Sequence, residues 1–296
     1  MHLRIGTRGS RLALVQAERV AAQLRERGYQ AELSIITTQG DTVNGIPLHE
    51  IGGQGVFVRA LDDAILAGEI DAAVHSMKDI PVKRPAGLST CAILKRDSPA
   101  DFLAHTLPIE KVRIIGTSST RRKAQLLRHM PGIEVKQLRG NVDTRLRKLA
   151  EGLYDAIVLA EAGIERMELS VAGTRLPPEE YIPSPNQGTI AVVCRDDPGV
   201  GGILSLLNHP ETRFDVEVER VVMDEVGGGC FTPQGIYCKS GHLRGEILSL
   251  DGARQVGIEE DVISMGEARR CGKTLRNKGK ELIREAYQKL GLNNEG

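Results

Sequence analysis

Apolar and polar positions in this chain switch period several times, and each switch predicts an element. Leu3 and Ile5 alternate with polar neighbours and predict a strand over 2–6, after which apolar residues from Leu12 to Leu24 recur at helical spacing and predict a helix near 11–27. A strand over 31–37 is followed by a polar, glycine-rich stretch from Thr38 to Val56, then a helix over 57–67, a strand over 70–75 and a turn from Met77 to Pro85. The pattern begins again near Lys95, with strands near 112–116, 133–138 and 155–159 and helices near 120–129 and 142–151. Prolines at Pro177, Pro178, Pro183 and Pro185 mark a loop, and the apolar run from Gly188 to Cys194 predicts a buried strand that could return to the first sheet. From about His209 the character changes to a helix over 211–225, three glycines, strands near 231–238 and 243–250, and a helix near 273–289.

Two phrases occur twice in the same order. Ile5-Gly6-Thr7-Arg8-Gly9-Ser10-Arg11 resembles Ile115-Gly116-Thr117 with its following arginines, and Asp71-Ala72-Ala73-Val74 resembles Asp155-Ala156-Ile157-Val158. Strand, Gly-Thr turn, helix and a later Asp-Ala-x-Val strand recur in both, which predicts two similar α/β units facing one another. The expected organisation is a discontinuous α/β domain of residues 1–94 and 188–208, a second α/β domain of 95–187 joined to it by a two-crossover hinge, and a small α+β domain of 209–296.

The chain has 296 residues, enough for several cores, and aromatics make up only 3%, so aliphatic side chains must fill them. Lys plus Arg and Asp plus Glu both number 39, a balance that gives no general attraction to nucleic acid or membrane. No apolar run approaches a membrane span, so a soluble cytoplasmic protein is expected; it is also expected to act as a monomer. The cysteines Cys91, Cys194, Cys230, Cys238 and Cys271 are scattered without a Cys-x-x-Cys pair, which argues against a disulfide framework or a structural zinc site, and no metal is expected.

Candidate chemistry gathers where strands give way to helices. Gly116-Thr117-Ser118-Ser119-Thr120-Arg121-Arg122 would bring hydroxyls, free amides and two guanidinium groups to one helix N-terminus, a combination suited to carboxylate or phosphate. An ordinary Ser/Thr cap with two solvated arginines would read the same way. Leu138-Arg139-Gly140-Asn141, followed by Arg145, repeats the arrangement with Asn141 as the helix cap, although Arg145 to Lys148 also fits a solvated face. His75-Ser76-Met77-Lys78-Asp79 lies just past a strand's carboxyl end, where open α/β sheets place ligand groups: Lys78 could hold an anion, and Asp79 could orient an N–H group or stabilise a cation. Asp79 before Pro81 is equally compatible with a simple turn. Cys230 follows Gly227-Gly228-Gly229 and is either an accessible nucleophile or a small buried residue after a glycine stop. The glycines Gly40, Gly45, Gly52, Gly53 and Gly55 suggest either a lid or an unstructured insertion.

Together, His75 to Asp79, Gly116 to Arg122, Leu138 to Asn141 with Arg145, Asn186-Gln187-Gly188 and Gly228-Gly229-Cys230 resemble the porphobilinogen deaminases, also called hydroxymethylbilane synthases, in order across nearly the full length. The resemblance implies two domains like the halves of periplasmic binding proteins with a cleft between them, plus a third domain. It implies that Cys230 carries a dipyrromethane cofactor, and that four porphobilinogens are condensed head to tail with loss of ammonia before hydrolytic release. It implies Asp79 as the catalytic carboxylate, with Lys78, Ser76, Ser119, Arg121 and Arg122 toward the cofactor and Arg8, Ser10, Thr117, Arg139, Arg145, Arg166 and Gln187 toward the substrate's carboxylates. The chain departs from the pattern at Gly227, where an acidic residue is common, at Gln54, where lysine is common, and at Gln39, where arginine is common. A bilobed binding protein for an acidic small molecule is the alternative, and Cys230 with the third domain separates the two.

Overall fold

The repeated phrases lead directly into the architecture of the computed structural model, which describes residues 1–37 and 56–291. In chain order the elements are β1 (His2–Thr7), α1 (Arg11–Glu26), β2 (Gln30–Ile35), α2 (Val56–Leu66), β3 (Ala72–Ser76), a 3₁₀ turn (Met77–Asp79) and β4 (Leu88–Ile93). Then come β5 (Asp101–His105), a 3₁₀ turn (Ile109–Lys111), β6 (Ile114–Gly116), α3 (Thr120–His129), β7 (Glu134–Lys136), α4 (Val142–Ala150), β8 (Ala156–Ala160), α5 (Glu161–Arg166) and β9 (Gly173–Leu176). The chain continues through β10 (Ile190–Arg195), α6 (Pro198–Ser205), α7 (Pro210–Val226), a 3₁₀ turn (Gly229–Phe231), β11 (Gln234–Lys239), β12 (His242–Leu248), β13 (Gln255–Asp261) and α8 (Met265–Lys289). The chain divides into two compact units, Met1–Asp97 with Gly188–Arg213, and Ser98–Gln187 with Phe214–Gly296.

The first unit holds a sheet of order β2-β1-β3-β10-β4. β1 runs parallel to β2 and β3, and β10 lies antiparallel between β3 and β4, so the apolar run after Gly188 does enter the first sheet. Ala17, Val20, Ala21 and Leu24 of α1 sit at i, i+3, i+4 and i+7 and are buried with Leu3, Ile5, Val74 and Val192. The second unit holds an equivalent sheet, β7-β6-β8-β5-β9, with β5 antiparallel between β8 and β9. The two sheets share a register: Ile5 pairs with Ala72 as Ile115 pairs with Ala156, and Gly6 with Ala73 as Gly116 with Ile157. The aspartates of the repeated phrases do the same work, since Asp71 Oδ2 accepts from Arg4 N at 2.8 Å and Asp155 Oδ2 accepts from Ile114 N at 2.7 Å. A Cβ on Gly6 would meet the tip of the Ile70 side chain, and one on Gly116 would lie 2.8 Å from Tyr154 Cδ1 and 3.1 Å from Leu138 Cβ, so at both positions a neighbouring side chain occupies the space that a Cβ would take.

The third sheet, β11-β12-β13, is antiparallel and lies in the second unit. Ile236, Leu243 and Ile247 pack against Val218 and Val222 of α7 and against Leu275 and Leu282 of α8. α8 starts eight residues before the predicted 273, at Met265, because Ser264 caps it there: Ser264 Oγ accepts from Glu267 N at 3.3 Å, and Glu267 Oε2 reaches past the cap to accept from Ile263 N at 2.8 Å.

The cysteines correct one expectation. Cys91 and Cys194 form a disulfide, with their Cα atoms 6.5 Å apart, although they are separated by 103 residues in sequence. β4 and β10 are neighbours, and their register slips between Val192 and Val193, which pair with Ala92 and Thr90. Cys91 is the extra residue of that bulge, which carries its sulfur toward Cys194.

Candidate functional site

In the first unit the residues singled out cluster at the carboxyl ends of two adjacent parallel strands. β1 delivers Arg8 and Ser10, and Ser10 sits at the N-cap of α1 in extended conformation. β3 delivers Ser76, whose Oγ lies 3.0 Å from Gln16 Nε2 of α1. Met77 is buried and donates its N–H to Thr189 O at 2.9 Å, and buried Ile80 donates back to Met77 O at 3.2 Å. With the turn pinned by its two apolar residues, the side chains between them, Lys78 and Asp79, stand exposed at the sheet edge. Beneath them His75 is buried at 6% exposure, its Nε2 without a hydrogen-bond partner among the described residues. Burial, together with the guanidinium groups of Arg84 and Arg8, pushes its pKa down to about 3. Arg84 forms a buried ion pair with Asp62.

In the second unit the corresponding edge is more basic. After β6, Thr117 Oγ1 accepts from Ser119 N at 3.2 Å, Ser118 Oγ donates to Leu138 O at 2.8 Å, and Ser119 caps α3 by accepting from Arg122 N at 3.4 Å. The guanidinium groups of Arg121 and Arg122 turn inward, at 4% and 8% exposure, onto the buried carboxylate of Asp101. Arg121 Nη1 lies 2.8 Å from Asp101 Oδ2, and Arg122 Nη2 lies 2.7 Å from Oδ1. Burial alone would raise the Asp101 pKa, but the two guanidinium groups hold it well below the usual carboxylate range. Gln187 Nε2 donates to the same Oδ1 at 2.8 Å.

After β7, Arg139 is exposed, Gly140 adopts φ of +117°, and Asn141 caps α4 by accepting from Thr144 N at 2.9 Å. Arg145 folds back to donate from Nε to Gly140 O at 2.7 Å. It is half-buried without an acidic partner among the described residues, and burial followed by repulsion from Arg122 pushes its pKa down to about 10. Arg166 ends α5, which follows β8, and is half-buried.

Cys230 lies in the turn Gly229–Phe231, and the side chain itself falls outside the described residues, as do Gln39, Gln54 and the glycines of the Thr38–Gly55 stretch. Gly227, Gly228 and Gly229 have φ of +68°, +77° and +51°, a left-handed run that only glycine adopts without strain. The space around a Cβ on Gly227 is open, so the residue common elsewhere in the family pattern would meet a backbone cost and no clash.

A dipyrromethane bears carboxylates, and the donor set fits it: hydroxyls and capped helix starts at one edge, and the half-buried guanidinium of Arg145 with no acidic partner among the described residues. Asp101 escaped the sequence reading because β5 was not predicted. Its only signal was an aspartate just before the apolar Phe102 and Leu103. Among the described residues no group of three or more His, Cys, Asp or Glu could hold a metal ion, and no helix is long and apolar enough to cross a membrane.

Residues 3–199 match the family model "Porphobilinogen deaminase, dipyromethane cofactor binding domain", and residues 214–281 match "Porphobilinogen deaminase, C-terminal domain". The chain is 50% identical to a probable porphobilinogen deaminase of Methanosarcina acetivorans over 98% of its length and 96% of the relative's. It is 40% identical to a porphobilinogen deaminase of Geobacter sulfurreducens, covering 97% and 95%. A periplasmic substrate-binding protein of an ABC transporter from Coxiella burnetii aligns over 72% of this chain and 94% of its own at 14% identity and a TM-score of 0.42, a likeness too slight to argue from.

Proposed function

This chain belongs to the porphobilinogen deaminase family, and from that premise we propose that it condenses four porphobilinogens head to tail, releases four ammonia molecules, and frees hydroxymethylbilane by hydrolysis. The observation that carries the reading is the basic edge of the second unit, where Arg145 stands half-buried beside Arg122 without an acidic partner among the described residues. A guanidinium in that position is stabilised by an incoming carboxylate, and every porphobilinogen brings an acetate and a propionate.

When bound to Cys230, dipyrromethane supplies the nucleophilic pyrrole carbon on which the product chain is extended. The residues that would hold its carboxylates are Ser119, Arg121, Arg122, Lys78 and Ser76. Arg139, Arg145, Arg166 and Thr117 in the second unit, and Arg8 and Ser10 in the first, hold the substrate's carboxylates. Gln187 serves the same edge through Asp101.

Asp79 is the catalytic carboxylate. Fixed on a turn whose neighbours Met77 and Ile80 are buried, it is exposed to solvent and held at the strand edge without needing to reorganise. When ammonia leaves the aminomethyl carbon of porphobilinogen, positive charge spreads onto the pyrrole, and a fixed carboxylate lowers the barrier by stabilising that charge as it develops. The same carboxylate can take up the proton that the attacking pyrrole loses. The three-domain division of 1–94 with 188–208, 95–187 and 209–296 separates these roles. The match of residues 214–281 to the C-terminal domain weighs against a bilobed binding protein.

Asp79→Asn tests the assignment. The variant should fold, retain any added mass on Cys230 and consume porphobilinogen at least about 100-fold more slowly, a loss in the range expected for one acid–base group. Turnover within a factor of two of the parent would remove Asp79 from the reaction.

A further inference from the structure

Asp101 is the carboxylate around which the basic edge of the second unit is built. It opens β5, pairing in register with Ala160 of β8 and Leu176 of β9, so the backbone that carries it is held on both sides. Its side chain is 1% exposed. Oδ1 accepts from Arg122 Nε at 3.1 Å, Arg122 Nη2 at 2.7 Å and Gln187 Nε2 at 2.8 Å, while Oδ2 meets Arg121 Nη1 at 2.8 Å. The remaining contacts complete two locked guanidinium planes: Arg122 Nη1 donates to Val158 O at 3.2 Å, and Arg121 Nη1 donates to Gln125 Oε1 at 2.8 Å and Ile182 O at 3.2 Å. Gln125 in turn donates to Glu246 Oε1 of β12 at 2.6 Å.

Two adjacent guanidinium groups repel each other, and without an interposed charge each would turn toward solvent and have to be recaptured by every arriving carboxylate. We propose that Asp101 is a positioning residue: it holds Arg121 and Arg122 in one preset arrangement at the N-terminus of α3 so that this edge receives the carboxylates of the dipyrromethane and the growing chain without reorganising. The inference rests on the function proposed above. It depends on geometry as well as charge, because three separate donors converge on Oδ1. Arg121, Arg122 and Arg145 together outnumber the acids Asp101 and Glu246 that act on them, so the clasp orders the arginines without cancelling the edge's attraction for an anion.

Two variants of the full-length chain, purified without refolding, test this. Asp101→Asn keeps the shape and removes the charge, while Asp101→Glu keeps the charge and displaces it by one methylene. Three quantities are read: the fraction of chains carrying added mass on Cys230, KM and kcat for porphobilinogen well below each variant's melting temperature, and the melting temperature itself. For Asp101→Asn the loaded fraction should fall at least fivefold, or KM for the chains that remain loaded should rise about tenfold. Asp101→Glu should raise KM about threefold while melting near the parent, and this variant decides the matter if Asp101→Asn is insoluble. Lower melting temperatures with parental loading and KM in both variants would make Asp101 a purely structural ion-pair partner and overturn the proposal. A parent chain with no added mass would overturn the functional reading and this inference with it; a loaded parent with indifferent variants overturns the inference alone.

Discussion

His75 should make this protein acid-sensitive in a pH window set by one side chain. Its folded pKa is pushed from the ordinary 6.5 down to about 3 by burial and by Arg84 and Arg8. Above about pH 6.5 it is neutral in both the folded and unfolded chains and contributes nothing to the pH dependence. Below that pH the unfolded chain binds a proton that the folded chain refuses, so stability is lost as pH falls and the loss levels off near the folded value. One pH unit is worth about 1.36 kcal/mol, giving a loss of about 2 kcal/mol by about pH 5 and on the order of 5 kcal/mol at the acid limit. Urea unfolding of the parent and of His75→Gln at about pH 7, 6 and 5 separates this from packing, since a packing loss is the same at every pH. The difference between the two proteins should shrink by about 2 kcal/mol from about pH 7 to pH 5. Parallel pH profiles would refute the buried, neutral imidazole and the charge arrangement beneath Lys78 and Asp79.

Arg145→Leu should change stability by no more than about 1 kcal/mol, because losing the hydrogen bond from Nε to Gly140 O is offset by removing a half-buried charge that burial and Arg122 disfavour, yet it should raise KM for porphobilinogen by about 10- to 100-fold, the loss of one charge-assisted hydrogen bond. Steady-state kinetics beside a thermal melt checks both halves of that statement. Ser264→Ala removes the acceptor that caps α8 at Glu267 N and should lower unfolding free energy by about 1 kcal/mol while leaving kcat and KM unchanged; urea unfolding of the loaded enzyme measures it.

The Gly-Thr turns and Asp-Ala strands were legible in the sequence because they are local: each phrase carries its own strand, turn and helix start, and the registers of Ile5 with Ala72 and Ile115 with Ala156 follow from the same hydrophobic pattern. The strand after Gly188 was legible for a similar reason, since an unbroken apolar run fits only a position buried on both faces. What escaped depends on residues far apart in sequence. β5 is five residues long, and its place between β8 and β9 is decided by partners that the local pattern cannot name. Missing β5 meant missing Asp101. Arg121 and Arg122 were therefore placed at an anion-binding junction without the counter-ion that turns their guanidinium groups inward. Cys91 and Cys194 pair through a bulge that spacing alone does not reveal. The early start of α8 was written locally, in Ser264 and Glu267, but was masked by the polar, glycine-containing first turns that follow.

The proposed reaction requires Cys230 as the attachment point. Intact-mass measurement of the natively purified chain, set against Cys230→Ala prepared in the same way, tests it directly: the parent should carry a dipyrrole-sized excess over its sequence mass, and the variant should carry none and fail to convert porphobilinogen. A parent at its bare sequence mass, or an excess that survives in Cys230→Ala, would contradict it.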